Sequence, residues 1–415
     1  MPLGVERDFH SFHITTTYDY LSFLSLSLKR KNRKITKKRG KAMLKFSVEK
    51  SLLVSAIAVA SRTVAPKSPI SALEGIYLRA GVRLMLTGYN LETGITVAVP
   101  ADVSQMGECV MPAKLFFDIV RKMPDDVITV SVDETYKVSV RCSSSSFTLS
   151  CESSDEYPEL PDVEEEFGVP VPQKILRDMI AGTIFSASEN ATRPIHTGCL
   201  FEVEEDSMTM VAIDGYRLAL RRFRPEGGFD RTMKFVVPAA GLREVEKILS
   251  DSEEDKAIIT LGRRHITFRM GDATLVCRIL EGEFMDWRKV LRTGDEKMRL
   301  VANVSQFASS IDRVSLVVTE KFKSPVRCVF SQNMVDLKTA TALGTAHDQC
   351  SLAGDGKDLE IGFNCRYLLD ALRQVPSQEV TLELTNGLNP IVMTPTDDKD
   401  DFTYLILPVR IRSAE

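Results

Sequence analysis

The amino-acid sequence predicts an α+β protein made of three tandem copies of one structural unit. A common order of helix-like and strand-like segments occurs three times along the chain, and such a repeat has to be recognised before any fold is assigned. Residues Pro112, Pro238 and Phe363 hold the same place in the three copies, at separations of 126 and 125 residues. Each copy combines two amphipathic helices with many short antiparallel strands, which indicates helices packed on sheets.

Each copy begins with a short strand that leads into the first helix. Apolar residues in these helices recur at helical spacing, as Leu53, Ile57 and Ala60 do in the first copy. The predicted strands cover residues 44–48, 167–171 and 298–302, and the predicted helices cover residues 50–62, 173–186 and 305–317.

Paired strands, a second helix and a closing hairpin complete each copy. Apolar runs separated by polar turns indicate the strands. The paired strands are predicted at 76–79 with 84–87, 199–202 with 208–211, and 326–329 with 334–337. The second helices are predicted at 113–123, 239–249 and 365–375, after strands at 109–112, 235–238 and 361–364. The closing strands are predicted at 128–132, 138–141 and 147–149, at 257–261 and 266–269, and at 380–384 and 391–394.

The repeat sets the predicted domain limits at 43–163, 167–293 and 297–415. The acidic, proline-containing stretch 152–166 is predicted to be the first linker, and residues 294–297 the second. Residues 1–42 form a separate basic extension with ten Lys or Arg and three Asp or Glu, so they carry +7 while the remaining residues carry −11. This extension could be disordered or lie before a true start at Met43, or it could be a presequence, a nuclear-localisation-like patch or a DNA-attracting arm.

Cysteine and histidine usage argues against disulfide and metal sites. The eight cysteines contain no C-x-x-C pair and mostly lie in apolar runs, so we expect them to be reduced and buried in a cytosolic protein. The five histidines are too dispersed for metal ligands, and no segment is long and apolar enough to span a membrane. Glycine-rich phosphate loops and nucleophile elbows are also missing from the sequence, so we predict no cofactor, no catalytic residue and no enzyme activity.

The helices carry most of the informative positive charge. In the helix at 113–123 the predicted core stripe is Leu115, Phe116, Ile119, Val120 and Met123. The remaining cations on the helices of all copies are Lys50, Lys114, Arg121, Lys122, Lys174, Arg177, Arg243, Lys247, Arg313, Arg366 and Arg373. A charged outer face is usually only solvated. Alternatively, the helices point towards one axis and contact DNA phosphates without reading bases.

Five segments, in order and in register with the repeat, give the chain a family resemblance. They are Pro112-Ala-Lys-Leu-Phe-Phe-Asp, Ala212-Ile-Asp-Gly-Tyr-Arg-Leu-Ala, Glu281-Gly-Glu-Phe-Met-Asp-Trp, Thr319-Glu-Lys-Phe and Tyr404-Leu-Ile-Leu-Pro-Val-Arg. Over residues 43–415 the chain resembles the β sliding clamps of bacterial DNA polymerase III. The resemblance implies three DNA-clamp domains, and a head-to-tail homodimer whose six domains encircle double-stranded DNA without sequence preference.

The resemblance also implies a role and partners. Such a ring is a processivity factor in the bacterial cytoplasm, associated with the nucleoid. It tethers the replicative polymerase catalytic subunit and other clamp-motif proteins, and a clamp-loader ATPase acts on it. A non-ring DNA-binding or scaffold protein of the same fold is the alternative.

The predicted DNA contacts combine the family positions with the helix cations. Family contacts fall on Lys114, Lys247 and Arg193, and Lys67 stands in for a loop arginine where the aligned residue is Ala65. The full predicted set is Lys67, Lys114, Arg121, Lys122, Lys174, Arg177, Arg193, Lys247, Arg366 and Arg373.

The resemblance further implies a peptide groove between copies two and three, and a subunit contact. The groove positions are Arg193, Gly215, Tyr216, Arg217, Leu218, Met285, Lys289, Val290, Leu405, Ile406, Leu407, Pro408, Val409 and Arg410. Without the resemblance, residues 405–407 would be interpreted as a buried edge strand. With the resemblance, a charged residue at Leu218 or Leu405 is expected to abolish binding of the polymerase peptide while sparing dimerisation. At the subunit contact, Phe147 and Leu149 of one chain should meet Leu316 and Val317 of the other. Within residues 339–349 only Asp348 is charged, so the acidic partners typical of the family are not evident.

Overall fold

The computed structural model describes residues 44–163, 168–291, 297–319, 324–354, 356–397 and 399–411. Predictions for residues 1–42, for most of the second linker and for residues 320–322 lie outside this described part. The model confirms the repeat of two helices and many strands in each unit.

The first unit contains helices α1 (Lys50–Ala60) and α2 (Ala113–Lys122). Its strands are β1 (Leu44–Glu49), β2 (Gly75–Ala80), β3 (Leu84–Tyr89), β4 (Thr93–Val99), β5 (Asp102–Gln105), β6 (Gly107–Pro112), β7 (Val127–Val132), β8 (Lys137–Cys142) and β9 (Ser145–Ser150).

The second unit contains helices α3 (Gln173–Ile184), α4 (Ala239–Ile248) and the short α5 (Trp287–Val290). Its strands are β10 (Val169–Pro172), β11 (Gly198–Val203), β12 (Met208–Ile213), β13 (Arg217–Phe223), β14 (Met233–Pro238), β15 (Lys256–Leu261), β16 (His265–Met270) and β17 (Ala273–Arg278).

The third unit contains helices α6 (Val304–Ser315) and α7 (Cys365–Leu372). Its strands are β18 (Met298–Asn303), β19 (Val326–Ser331), β20 (Met334–Thr341), β21 (Gly344–Ala353), β22 (Leu359–Phe363), β23 (Glu379–Leu384), β24 (Ile391–Thr394) and β25 (Phe402–Ile406).

The strand ladders confirm which residues are equivalent in the three units. Pro112 pairs with Gly75, Pro238 pairs with Gly198, and Phe363 pairs with Val326 at the first position of the corresponding ladder. Helix α7 nevertheless begins one residue later than α2 and α4. Its N-cap is Asn364, whose side chain accepts a hydrogen bond from the Arg366 amide, whereas the N-cap prolines cannot do this.

Two continuous sheets join the units to one another. An eight-stranded sheet has the order β10-β15-β16-β17-β4-β3-β2-β6, so β17 of the second unit pairs with β4 of the first. A twelve-stranded sheet contains the order β14-β11-β12-β13-β25-β24-β23-β18, so β25 of the third unit pairs with β13 of the second. A five-stranded sheet, β5-β1-β7-β8-β9, belongs to the first unit alone. Most of these joining strands are not predicted by local sequence patterns, because their partners lie more than 150 residues away.

The two main helices of each unit pack against each other and onto the sheets. Their apolar stripes form the core as predicted, with one correction in α2. Phe116, Ile119 and Val120 are buried, but Leu115 is 51 % exposed. At 3.6 residues per turn, Leu115 lies roughly a third of a turn away from the centre of the buried stripe. Ala113 is buried in its place.

Candidate DNA-facing helices, peptide groove and open sheet edges

Two of the three α2 cations that are predicted to contact DNA are unpaired in the described part of the chain. Lys114 and Lys122 are exposed and make no ion pair within the described residues. Arg121 lies 3.2 Å from Asp118 and 5.4 Å from the centre of the Phe117 ring. Because exposed lysines are hydrated and mobile, Lys114 and Lys122 are free to approach a phosphate at little cost.

Cations on the other helices are partly neutralised by neighbouring acids. Lys174 lies 2.6 Å from Glu253, and Arg177 lies 2.5 Å from Asp251, both in the loop after α4. Similar pairs join Lys247 to Glu244 at 2.8 Å, and Arg366 and Arg373 to Asp370 at 3.9 and 4.0 Å. These five residues remain candidate phosphate contacts, but each would first have to break its ion pair with the neighbouring carboxylate.

Lys67 and Arg193 lie in loops rather than on the main helices. Each loop precedes a single 3-10 turn, Ser71–Glu74 in the first unit and Pro194–Thr197 in the second. Both residues are exposed and have no ion-pair partner in the part of the chain that the structure describes. The strands that follow begin at Gly75 and Gly198, eight residues after Lys67 and five residues after Arg193, so the two cations lie in the same loop of their units but not at equivalent positions.

The groove between the second and third units begins at a tight turn. The Asp214 carboxylate accepts hydrogen bonds from the amides of Tyr216 and Arg217 at 2.8 and 3.0 Å. Gly215 adopts a φ of +92°, which favours glycine, so the turn projects Tyr216 outwards with 63 % of its surface exposed. The Leu407 amide donates to the Tyr216 carbonyl at 2.9 Å, which sets the two residues side by side.

Four large apolar side chains of the predicted groove are exposed: Tyr216 at 63 %, Met285 at 42 %, Val409 at 40 % and Leu407 at 39 %. Beneath them lies a buried cluster that includes Phe284 and Trp287, with Val290 packed against it. Exposed apolar groups over an apolar floor are typical of a site that accepts aliphatic or aromatic anchors of a peptide.

The structure changes the role of several predicted groove residues. Leu218 and Leu405 pair across β13 and β25, and each is 1 % exposed, so they form the floor of the groove and part of the core. A charge at either position would be buried in this core and is expected to destabilise the junction, so neither substitution tests peptide binding separately from folding. Residues 405 and 406 do lie in a buried strand, as the simpler interpretation held, whereas Leu407 lies beyond it.

Arg217 joins the second and third units through ion pairs and is not a free cation. Its guanidinium lies 2.9 Å from Asp214 and 2.8 Å from Asp370 of the third unit, and 4.3 Å from the centre of the Tyr367 ring. Only 9 % of the Arg217 surface is exposed. Two acids and an aromatic ring therefore satisfy this cation. Of the other groove cations, Lys289 lies 3.4 Å from Asp286, and Arg193 and Arg410 are exposed with no ion-pair partner among the described residues.

A cavity of about 540 Å³ lies beside the exposed groove residues. His196, Glu283, Phe284, Met285, Asp286, Lys289 and Val290 line it. His196 was missed in the sequence because an isolated histidine has no pattern. Its ring packs edge-on against Phe284 at 5.3 Å, and burial together with the charge of Arg193 lowers the pKa of His196, so the imidazole is neutral at neutral pH.

A second cavity of about 570 Å³ shares the loop 283–286 with the first. Behind this loop the Glu202 carboxylate accepts hydrogen bonds from the Trp287 indole at 3.1 Å and the Arg288 guanidinium at 2.9 Å, and pairs with Lys234 at 2.8 Å. Burial raises the pKa of Glu202, but these donors outweigh it and lower the pKa overall, so Glu202 stays charged. The network fixes the loop that forms one wall of the groove.

Strand β9, at the end of the five-stranded sheet, and most of β21, within the twelve-stranded sheet, have an unpaired edge among the described residues. Strand β9 pairs only with β8, and β21 pairs with β20 along its length but with β18 only through Leu352 and Ala353, within the described residues. Phe147 on β9 is 44 % exposed, and Leu316 after α6 is 77 % exposed. Leu149 is buried at 8 %, so of the predicted contact residues Phe147 and Leu316 are the most available.

Comparison with known proteins identifies the family. Three models of the DNA polymerase III beta subunit match in order: the N-terminal domain at residues 44–161, the central domain at 170–286 and the C-terminal domain at 289–410. A crystal structure of a DNA polymerase III beta subunit from Eubacterium rectale is 30 % identical, with a TM-score of 0.83, over 88 % of this chain and 99 % of that one. The chain belongs to the beta sliding clamp family.

Other members are similarly close. The beta sliding clamp of Staphylococcus epidermidis is 29 % identical over 379 residues, which cover 89 % of this chain and 100 % of that protein. The DNA polymerase sliding clamp of Bacillus subtilis is 28 % identical with a TM-score of 0.84, over 89 % and 100 % of the two chains. The three units are therefore clamp domains.

None of the helices described is long and apolar enough to cross a membrane. No group of three or more His, Cys, Asp or Glu side chains among the described residues is arranged to hold a metal ion. The eight cysteines are buried and unbridged, as predicted.

Proposed function

We propose that this chain is a non-catalytic processivity factor, and that two copies close head to tail into a ring of six domains around double-stranded DNA. The observation that carries the proposal is the pair of open edges. Inside the chain, the last strand of one domain pairs with a strand of the preceding domain at both junctions. Among the described residues, β9 is the last strand of the first domain and has no strand of another domain beside it, and β21 has no last strand of another domain beside it. A second copy would supply both missing pairings and close the ring.

Enclosure explains the distribution of charge. A polymerase tether has to remain on DNA and yet slide, and tight phosphate contacts would oppose sliding. Residues 43–415 carry −11, while the helices of each domain carry exposed cations. Topological linkage then provides retention, and a few weak phosphate contacts centre the duplex.

The groove provides the tether. We propose that it binds clamp-motif peptides of the replicative polymerase catalytic subunit and other replication and repair proteins, through Tyr216, Met285, Leu407 and Val409, with Arg193, Lys289 and Arg410 at the rim. A clamp-loader ATPase would have to open the ring for DNA to enter. Because the DNA that it would encircle is chromosomal, we propose that the protein acts in the bacterial cytoplasm at the nucleoid.

The test of ring closure is retention on DNA of different topology. We expect the loaded full chain to remain on a closed circular duplex and to leave the same duplex within minutes of linearisation, measured by gel filtration of labelled protein. Light scattering should give a dimer at micromolar concentration. Equal retention on both forms, or a monomer, would favour the non-ring scaffold of the same fold.

The helix cations should contribute to DNA affinity without sequence preference. In the double variant Lys114→Ala with Lys122→Ala, the slope of log affinity against log salt concentration should fall in magnitude by about two for each chain. The reason is that about one counterion is released per phosphate contact. Fluorescence anisotropy with a short duplex measures this slope. Lys137→Ala on the sheet strand β8 is the matched control and should leave the slope unchanged; an equal effect of both variants would refute the helical interface.

A further inference from the structure

A histidine lies in the wall of the peptide groove, where its ring forms part of a cavity. His196 belongs to the 3-10 turn Pro194–Thr197 and is among the residues that line the cavity of about 540 Å³. The His196 amide donates to the Arg193 carbonyl at 3.1 Å, and the His196 carbonyl accepts from the Ser188 amide at 2.8 Å. The ring packs edge-on against the buried Phe284, with ring centres 5.3 Å apart. Backbone bonds and an aromatic contact therefore fix this imidazole in place.

The two ring nitrogens of His196 have different surroundings. Nδ1 is buried and has no hydrogen-bond partner within the described residues. Nε2 also makes no hydrogen bond there but is not enclosed, so it is the ring nitrogen that a ligand in the cavity can reach. Because a buried N–H without an acceptor is unfavourable, the proton of the neutral ring is expected on Nε2. His196 then presents an N–H donor to the groove.

The charges around His196 are divided between the two walls of the cavity. On its own wall lies Arg193, which is exposed, has no ion-pair partner in the described part of the chain, and acts electrostatically on His196. The other wall, formed by α5 and the loop before it, carries Glu283, Asp286 and Lys289, and Asp286 lies 3.4 Å from Lys289. One wall is therefore cationic, whereas the other has a net negative charge. A ligand carboxylate in this cavity is attracted towards His196 and Arg193.

A carboxylate beside His196 would also change its protonation. In the single chain, burial and then the charge of Arg193 lower the pKa of His196. The unpaired Nδ1 acts in the same direction, because the imidazolium would carry a second N–H there without an acceptor. A bound carboxylate opposes these effects and raises the pKa of His196 in the complex, because it stabilises the positive charge. Binding of an acidic ligand is therefore coupled to uptake of a proton.

We propose that His196 is a specificity-determining residue of the groove, and that it selects peptides with an acidic side chain beside the apolar anchors through a hydrogen bond from Nε2 to the carboxylate. The inference rests on the proposed function, because it takes the groove to be the peptide site. It deepens that proposal, since it names the chemistry of the preferred peptide and makes the affinity depend on pH. The apolar anchors supply most of the affinity, and His196 with Arg193 distinguishes among peptides that all carry such anchors.

The direction of the pH dependence follows from the two states of His196. Its pKa is lowered below the ordinary value in the free chain, and it is higher in the complex with a carboxylate. The added affinity is fully present below the pKa of the free chain and is lost as pH rises through the pKa of the complex. Each unit between the two values corresponds to about a tenfold change in affinity. Affinity for an acidic peptide should therefore be higher at pH 6 than at pH 8.

The test is calorimetric titration of the full chain with matched peptides. A clamp-motif peptide of the polymerase catalytic subunit, acetylated and amidated at its ends, is changed at each position outside its apolar anchors to Glu and, separately, to Gln. At one position the Glu peptide should bind about fivefold or more tightly than the Gln peptide at pH 6, and this preference should decrease towards pH 8. Repetition in two buffers of different ionisation enthalpy should show proton uptake with the Glu peptide alone.

Three variants assign the effect to His196. His196→Gln keeps a side-chain donor but does not titrate, so the Glu peptide should bind without pH dependence and without proton uptake. His196→Leu removes the donor and should bind the Glu and Gln peptides equally. His265→Gln is the matched control, because His265 lies on β16 in the eight-stranded sheet and its pKa is also lowered, by burial and by nearby arginines. This control should retain both the preference and its pH dependence, and melting temperatures close to that of the parent chain would show that all three variants are folded.

The possible results separate the role of His196 from that of the groove. If Glu and Gln peptides bind equally at every position, or if the preference is unchanged in His196→Leu, His196 does not select the peptide although the groove still binds it. A preference without any proton uptake would overturn the coupling to protonation. If no clamp-motif peptide binds the parent chain at all, the proposed function of the groove is refuted instead.

Discussion

Replacement of Phe147 by aspartate should convert the dimer into a folded monomer. Phe147 is 44 % exposed in the single chain, so the substitution costs the monomer little, yet the proposed contact would bury it at both interfaces of the ring. An aromatic anchor is worth about 2–4 kcal/mol per interface, and two interfaces should raise the dimer dissociation constant by at least about 10³-fold. Sedimentation over a range of concentrations measures this shift.

Val127→Asp is the matched control for Phe147→Asp. Val127 is 48 % exposed and belongs to the same sheet, but its strand β7 lies between β1 and β8 and has no open edge. This variant should remain dimeric. A Phe147→Asp chain that still dimerises at nanomolar concentration would contradict the predicted subunit contact, and its melting temperature would show whether the fold is unchanged.

The repeat made most of the fold predictable from the sequence. Helices and hairpins are set by short-range patterns, so the main helices and the paired strands could be found to within a few residues. Strand β4 also has alternating residues, but nothing local indicates that its partner is β17, some 180 residues later. Long-range pairing had to come from the structure, and with it came the register of both junctions.

The sequence also does not show which of the predicted groove residues are buried and which are exposed. Tyr216 and Leu218 are two residues apart, yet the first is 63 % and the second 1 % exposed, because the turn at Gly215 ends before β13 enters the sheet. Arg217 would be interpreted as a peptide contact from its position alone. The acids that hold it, Asp214 and Asp370, are far apart in sequence, so only the structure reveals these ion pairs.

The first internal junction explains why a groove opens only at the second. The Arg278 amide donates to the Glu92 carbonyl at 3.1 Å, which is the counterpart of the bond between Leu407 and Tyr216. At this position the first junction has two charged residues, Arg278 and Glu92, whereas the second has the exposed apolar Leu407 and Tyr216. At the first junction Leu160 also covers Gly94, where an added Cβ would lie 2.8 Å from Leu160 Cδ2. Equivalent backbone thus carries charged side chains at one junction and exposed apolar side chains at the other.

Leu407→Asp should therefore abolish most peptide binding without loss of the ring. Leu407 is 39 % exposed and follows β25, so the fold should tolerate an aspartate there, which would place a charge beside the exposed Tyr216. Loss of a central apolar anchor costs about 2–4 kcal/mol, which corresponds to roughly 30- to 1000-fold weaker binding of a polymerase clamp-motif peptide. Isothermal titration calorimetry measures the change.

Leu388→Asp is the control that separates the groove from a general effect of surface charge. Leu388 is 83 % exposed in the same domain, in the loop between β23 and β24, and should bind peptide like the parent chain. If Leu407→Asp binds normally, the apolar surface at this junction is not the tether. If it binds weakly but remains dimeric and is retained on circular DNA, tethering and encirclement are separate functions of one molecule, because the groove and the open edges lie at different junctions of the same repeated design.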